Sequence, residues 1–305
     1  MNTPNLSGLI AATVTPMRED LSIDEPSLRR YLRWVADQGV VGVAVNVDTG
    51  EGPHLYPEER LRVLEIALEE VGDRVTVVAG LAATFTEQAV EVARQTAKLG
   101  PHALLVFPIP AYQGEPLDPE VPASYHRAVA DVGVPLIAFQ LQPALGGVTF
   151  SREAIERIMG VPGVVAIKEA SFDARRFLEV TRLVHGLPEP KLVLNGNDNF
   201  LLEAYLLGAD GALLGFGTLA VREQVDMFEA VRARDFERAF ALAGRLQALC
   251  DVIFAPPVRD YRARLKHALV LLGVIEAAHV RPPLRPLDPA VASEVEHALK
   301  AAGLL

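Results

Sequence analysis

The chain has 305 residues, of which 50% are hydrophobic and 22% charged, and its formal net charge at pH 7 is −10. This apolar fraction excludes disorder as the main state and allows either one large barrel domain or two ordinary domains. The acidic balance disfavours a nucleic-acid partner, because phosphate binding needs a concentrated basic stripe.

Eight short apolar segments predict β-strands that are buried on both faces, as in a parallel sheet. They begin at Leu9, Val41, Val75, Ala103, Pro135, Val164, Leu192 and Gly211. The segments between them start with Pro, Ser, Thr or Asp and have helical spacing of apolar residues. These segments predict helices over 24–36, 57–70, 86–98, 118–130, 151–159 and 173–185.

The alternation of strands and helices predicts an α/β fold, with a (β/α)₈ TIM barrel over residues 1–220. An open doubly wound sheet is the alternative, but no GxGxxG motif follows the first predicted strand. After residue 220 the pattern is helical only, over 222–252 with a break near 232–235, over 258–272 and over 289–302. Residues 221–305 are therefore predicted to form a C-terminal all-helical extension, packed on the barrel or on a partner subunit.

Other features of the sequence disfavour several classes of protein. No uninterrupted apolar run approaches the ~18 residues of a membrane span, and the N-terminus lacks the basic start of a signal peptide. We therefore expect a cytoplasmic protein that does not associate with a membrane. Cys250 is the single cysteine, and the histidines lack the spacing of metal ligands, so no metal site is expected.

Lys168 is the first candidate for a catalytic residue. It follows the apolar segment 164–167 directly, so it is predicted at the barrel mouth, where enzymes of this fold place their active sites. Burial lowers the pKa of a lysine, and the neutral amine can then attack a carbonyl carbon and form a Schiff base. The alternative is a lysine that ends a strand and points to solvent.

Polar and glycine residues after other strands are candidate binding residues. Asp48, Thr49 and Gly50 follow the second strand, where backbone N–H groups and a hydroxyl can bind a carboxylate. The alternative is a turn in which Asp48 and Thr49 satisfy their own backbone. Gly215 follows the eighth strand and either contacts a ligand or allows close packing of a neighbouring loop.

Several motifs taken together resemble the dihydrodipicolinate synthase / N-acetylneuraminate lyase superfamily of class I (Schiff-base) aldolases and dehydratases. The resemblance covers essentially the whole chain. Its motifs are Gly-Leu-Ile at 8–10, Thr-Pro-Met at 15–17, Asp-Thr-Gly-Glu at 48–51, Val-Ala-Gly at 78–80, Ala-Ile-Lys-Glu-Ala at 166–170, Asn-Gly-Asn-Asp at 195–198 and Leu-Gly-Ala-Asp-Gly at 207–211.

The resemblance implies a role for each matching residue. Lys168 takes the role of the Schiff-base lysine, and Thr49 contacts the carboxylate of a 2-oxo acid in a turn that Gly50 shapes. The remaining predicted substrate contacts are Phe139, Asn195 and Gly215. No cofactor is implied, because the lysine itself supplies the electrophilic iminium. Members of the superfamily are dimers or tetramers, so a homodimer or homotetramer is expected.

The chain departs from the family pattern at three points. The family tyrosine that relays protons after strand 5 is replaced by Phe139, and the hydroxyl residue before Thr49 is replaced by Asp48. The arginine that binds a second carboxylate in the synthases has no counterpart in the segment 144–147. We hypothesise that Asp48 replaces the missing acid–base group. The rival hypothesis is that Asp48 pairs with Lys168 and keeps it charged.

Three functions remain open at this point. The first is a carbon–carbon or carbon–oxygen lyase (an aldolase or dehydratase) that acts on a pyruvate-type 2-oxo acid through a Lys168 Schiff base. The second is dihydrodipicolinate synthase itself, which the two missing side chains disfavour. The third is a non-catalytic homologue that binds an oxo acid.

Overall fold

The computed structural model describes residues 4–114 and 116–305, and its architecture is a closed barrel of parallel strands. The strands pair in chain order, and β1 (Leu9–Ala12) also pairs with β8 (Gly211–Leu214), with Ile10 beside Leu213. This last pairing confirms the predicted (β/α)₈ barrel and excludes the open sheet. The other strands are β2 (Gly42–Val45), β3 (Thr76–Leu81), β4 (Ala103–Val106), β5 (Leu136–Leu141), β6 (Val164–Ala170) and β7 (Leu192–Asn195).

Helices follow the strands, and the first six lie at the positions that the sequence predicts, whereas the seventh is not among the predicted helices. Asp24, Ser151 and Asp173 each accept a hydrogen bond from a backbone N–H of the helix that they precede, as expected of N-caps. The helices of the alternating part are α1 (Glu25–Ala36), α2 (Pro57–Val71), α3 (Thr86–Ala97), α4 (Glu120–Ala130), α5 (Arg152–Met159), α6 (Ala174–His185), α7 (Leu201–Leu206) and α8 (Val221–Arg232).

An irregularity in β6 turns Lys168 toward the inside of the barrel. Val164 packs in the outer core between sheet and helices, whereas Ala166 and Ala170 pack in the core inside the barrel. The register against β5 shifts at this point, with Val165 as the extra residue. A bulge changes the phase of the side-chain alternation, so Lys168 shares the inner face with the two alanines.

The C-terminal helices begin after the predicted break. α8 ends at Arg232 and follows β8 as the eighth helix of the alternation, and it is succeeded by α9 (Phe236–Ile253), α10 (Tyr261–Leu271) and α11 (Pro289–Ala301). The predicted division of the chain at residue 220 assigns α8 to the extension. This division stays a prediction.

Among the described residues, no single helix is long and apolar enough to cross a membrane. One pair of consecutive helical segments, Phe236–Ile253 and Val258–Leu271, is long and apolar enough by length and composition only, and the two segments are bent by 105° relative to each other.

A buried ion pair holds α10 over the barrel mouth. Glu51, in the loop after β2, pairs with Lys266 of α10, and both side chains are fully buried. The Lys266 ammonium also donates to the carbonyl of His279 (2.7 Å), and the second Glu51 oxygen accepts from the backbone N–H of Arg281 (2.8 Å). These bonds fix one end of the extension to the loop that carries Asp48 and Thr49.

Candidate active site

A cavity of about 40 Å³ lies at the carboxyl ends of the strands and brings most of the predicted site residues together. Enzymes of this fold have their active sites at the same end of the barrel. The polar groups of its wall are Asp48, Thr49, Lys168, Asp198 and Tyr261. Its apolar wall includes Phe139, Leu141, Leu145, Phe172 and Phe254.

Lys168 is held in an environment that favours its neutral amine. The side chain is buried, and burial lowers its pKa to about 8, although the nearby Asp198 and Asp48 charges oppose this change. Its Nζ lies 4.3 Å from the centroid of the Phe139 ring. The Lys168 side chain therefore points into the cavity and not to solvent.

Asp198 is a buried carboxyl group in the same cavity wall as Lys168. It follows β7, and burial raises its pKa to about 7. The backbone N–H of Phe216, 2.9 Å from Oδ1, and the Lys168 charge both act to lower this pKa. Burial thus favours the neutral form of both Lys168 and Asp198. This pair can supply a neutral nucleophile and an acid near neutral pH.

Asp48 lines the same cavity but is paired with an arginine of α10. Its Oδ1 lies 2.5 Å from Arg262 Nη2, and its backbone carbonyl accepts from Arg262 Nε at 2.8 Å. Its Oδ2 accepts from the Tyr261 hydroxyl at 2.8 Å. Among the ion pairs of the described residues, Asp48 has none with Lys168, so the pairing of the rival hypothesis is not present.

Thr49 and two glycines shape the wall beside Asp48. Thr49 is buried in the cavity wall, and its hydroxyl oxygen lies 3.4 Å from the Tyr261 hydroxyl. Gly50 is not part of the cavity wall, and its carbonyl accepts from the Thr15 hydroxyl at 2.8 Å, which fixes the turn. Gly215 lies in the wall, and a Cβ there would stand 3.1 Å from both Thr49 Oγ1 and Phe254 Cζ, so a larger residue would press on these two side chains.

Asn195 is not among the cavity-lining residues. The inner residue of β7 is Leu194, so Asn195 points to the outer side, where its Oδ1 accepts from the Asn197 backbone N–H at 2.9 Å. The Asn197 side chain in turn donates to Glu169 Oε2 (3.0 Å), which is buried beside Gln140. This network supports the loop after β7, and a direct contact of Asn195 with substrate stays a prediction.

The volume of a cavity does not locate this site. A cavity of about 790 Å³, larger than the one that contains Lys168, lies between the segments that follow β4 and β5. It is lined by Tyr112, Phe150 and Arg176 among others, and neither Lys168 nor Asp48 is part of its wall. In the described part of the chain, no three His, Cys, Asp or Glu side chains are placed to hold a metal ion.

Asp198 and Tyr261 are cavity residues that the sequence analysis did not select. Asp198 ends the motif at 195–198, from which Asn195 was selected instead. Because side chains alternate between the two faces along β7, a residue beyond the end of the strand was the better candidate. Tyr261 lies in the helical extension, and no pattern in the sequence places that helix over the mouth of the barrel.

Comparison with known proteins agrees with this geometry. The profile of the dihydrodipicolinate synthetase family matches residues 5–302. A 4-hydroxy-tetrahydrodipicolinate synthase of Methylibium petroleiphilum is 33% identical over 300 residues, which cover 98% of each chain. The chloride-inhibited dihydrodipicolinate synthase of Acinetobacter baumannii, solved with pyruvate, superposes with a TM-score of 0.87 at 28% identity, covering 99% of this chain and all of the other.

A second solved structure extends the comparison. The dihydrodipicolinate synthase of Thermotoga maritima superposes with a TM-score of 0.90 at 25% identity, over 98% of this chain and 99% of the other. The match extends through the barrel and the C-terminal helices. The chain therefore belongs to the dihydrodipicolinate synthetase family, as the resemblance of its motifs predicts.

Proposed function

We propose that the protein is a Schiff-base lyase that cleaves or dehydrates a pyruvate-type 2-oxo acid through Lys168. The observation that carries this proposal is the buried amine of Lys168, whose pKa is lowered to about 8 inside a cavity at the barrel mouth. A lysine desolvated in this way is a nucleophile toward a carbonyl carbon. No cofactor is required, because the iminium formed on the lysine withdraws the electrons that bond cleavage releases.

The polar wall supports a role for each remaining group. Thr49 and the turn held by Gly50 are proposed to bind the carboxylate of the oxo acid, beside Lys168. Asp48 is proposed to transfer protons during formation and breakdown of the Schiff base, since Phe139 has no hydroxyl to do so. Phe139 and Gly215 are proposed to contact the substrate as parts of the wall.

Dihydrodipicolinate synthase activity is a second candidate, and the activity for which the related proteins are named favours it. Two features of the chain disfavour it. Phe139 replaces the family tyrosine, and the segment after β5, which includes the turn Pro143–Leu145, has no arginine for a second carboxylate. We therefore propose an uncharged acceptor or leaving fragment, or a dehydration. A non-catalytic oxo-acid-binding homologue is the third candidate.

A turnover screen tests these candidates. The protein is incubated with a panel of 4-hydroxy- and 5-hydroxy-2-oxo acids. Formation of pyruvate or of the dehydrated product is followed by NMR. Condensation of pyruvate with aldehydes, with and without a carboxylate, is followed in parallel. We expect consumption of at least one 2-oxo acid by the wild type and none by Lys168→Met.

The matched control is Lys191→Met, which replaces a lysine that precedes β7 and is expected to leave turnover unchanged. A preference for a carboxylated aldehyde would support the synthase activity instead. Pyruvate that raises the melting temperature without any turnover would indicate a binding protein.

We also propose that the enzyme acts in the cytoplasm as a homodimer or homotetramer. The support is the resemblance of the whole chain to a family whose members form such assemblies. Light scattering coupled to size-exclusion chromatography tests the assembly, and a mass of one chain would contradict it.

A further inference from the structure

A tyrosine of the C-terminal extension reaches the cavity that contains the reactive lysine. Tyr261 begins α10 and is 4% exposed. Its hydroxyl donates to Asp48 Oδ2 at 2.8 Å and lies 3.4 Å from Thr49 Oγ1. The hydroxyl thus joins the carboxylate proposed to transfer protons and the hydroxyl proposed to bind the substrate carboxylate.

The surrounding contacts hold this tyrosine in one position. Its ring stacks on Phe254 with centroids 4.7 Å apart, and the guanidinium of Arg262 lies over the same ring at 4.9 Å. Arg262 also pairs with Asp48, and Lys266 of the same helix pairs with Glu51 of the same loop. Two ion pairs and one ring stack therefore fix the hydroxyl at the cavity wall. Such preorganisation is typical of groups that take part in proton transfer.

We propose that Tyr261 is a catalytic residue that carries protons between Asp48 and the substrate, in place of the tyrosine hydroxyl that Phe139 lacks. This role rests on the Schiff-base function proposed above. It assigns to the helical extension a reacting group of the barrel's active site.

The protons balance over the sequence of steps. The Lys168 ammonium loses one proton through the Tyr261 hydroxyl to the Asp48 carboxylate, and the neutral amine attacks the carbonyl carbon. The nitrogen of this adduct then passes one proton to the alkoxide oxygen, which gives a neutral carbinolamine with a hydroxyl group and a nitrogen lone pair. The proton then returns from Asp48 through Tyr261 to the carbinolamine hydroxyl, which leaves as water while the nitrogen lone pair forms the iminium. Next, Asp48 takes a proton from C3 through Tyr261, and the C3–H electron pair forms the enamine.

The chemistry of the phenol fits a relay rather than a stored charge. Burial raises the pKa of Tyr261 well above its usual value, and the neighbouring Asp48 charge raises it further. The phenol therefore stays protonated, so each proton that arrives at its oxygen has to be matched by one that leaves. Asp48 accepts the departing proton, and its bond to Arg262 keeps the carboxylate oriented toward the hydroxyl.

The test is exchange of the methyl protons of pyruvate in D₂O, followed by ¹H NMR. Enamine formation and its reversal replace these protons by deuterium without any second substrate. Tyr261→Phe keeps the ring stack on Phe254 and removes only the hydroxyl. We expect exchange to slow by about 10²–10⁴-fold, the usual contribution of a positioned acid–base group, while the pyruvate dissociation constant changes less than about twofold.

The matched control is Tyr205→Phe. Tyr205 in α7 is buried like Tyr261, and its hydroxyl has no hydrogen-bond partner within residues 4–114 and 116–305. We expect its exchange rate to equal that of the wild type. Asp48→Asn should slow exchange, and the double variant with Tyr261→Phe should be no slower than the slower single variant, because the two groups act as one unit.

The outcomes separate this role from the function on which it rests. Exchange in the wild type at an equal rate in Tyr261→Phe would overturn the assignment of Tyr261 and leave the Schiff base intact. Slower exchange together with weaker pyruvate binding and a lowered melting temperature would show a structural residue and would also overturn it. Absence of exchange and of a reducible adduct in the wild type would overturn both proposals.

Discussion

Replacement of Lys266 by methionine tests the buried ion pair that holds α10 over the active site. Lys266 and Glu51 are both 0% exposed. Among the described residues, Lys266→Met leaves the Glu51 carboxylate with the Arg281 backbone N–H at 2.8 Å as its remaining hydrogen bond. Removal of one partner from a buried pair costs about 3–5 kcal/mol, because the other charge stays desolvated. We therefore expect the free energy of unfolding to fall by about that amount.

The assay is urea denaturation followed by circular dichroism, with the slope of the transition compared between variants. Lys300→Met is the matched control, because Lys300 pairs with Glu296 on the surface of α11, with exposed fractions of 58% and 43%. We expect the control to leave the transition nearly unchanged. A loss below about 1 kcal/mol for Lys266→Met, at an unchanged slope, would refute the burial of the pair.

Two further variants probe the cavity itself. Gly196→Ala places a Cβ 2.7 Å from Lys168 Cε, so the lysine has to move and we expect Schiff-base formation with pyruvate to slow by about 10²-fold. Gly244→Ala should leave the rate unchanged, because among the described residues no atom beyond its chain neighbours and its own helix backbone lies within 4 Å of the added Cβ. Equal rates for both variants would contradict the close contact at Gly196. Asp198→Asn removes a charge that raises the Lys168 pKa, so the pH at half-maximal rate of adduct formation should fall below about 8, and an unchanged midpoint would show that the two groups do not interact.

The fold could be predicted from the sequence because its signals are local. The strands are mostly apolar on both faces and several helices begin at a cap or a proline, so the pattern alone indicated the barrel. α7 is an exception, since Leu201–Leu206 is too short for helical spacing to be visible. The sequence pattern also could not predict toward which face of the sheet Lys168 points. The segment before it is apolar on both faces, and the bulge at Val165 decides which face the lysine joins.

The candidate site could be predicted only in part. Residues that follow the apolar segments of the sequence, such as Thr49 and Lys168, are found by their position in the chain. Tyr261 contacts Asp48 across 213 positions of sequence, so its place depends on how α10 packs on the barrel. Asn195 ends a strand but points away from the interior, which its position in the chain does not reveal, and its contact with substrate stays a prediction.

Borohydride trapping tests the central claim most directly, namely that Lys168 forms a Schiff base with a 2-oxo acid. The protein is incubated with pyruvate, reduced with borohydride, digested and mapped by mass spectrometry. We expect one reduced adduct per chain, on the peptide that contains Lys168, and none in Lys168→Met. No adduct with pyruvate or with larger 2-oxo acids, or an adduct spread over Lys98, Lys191, Lys266 and Lys300 instead, would contradict the account.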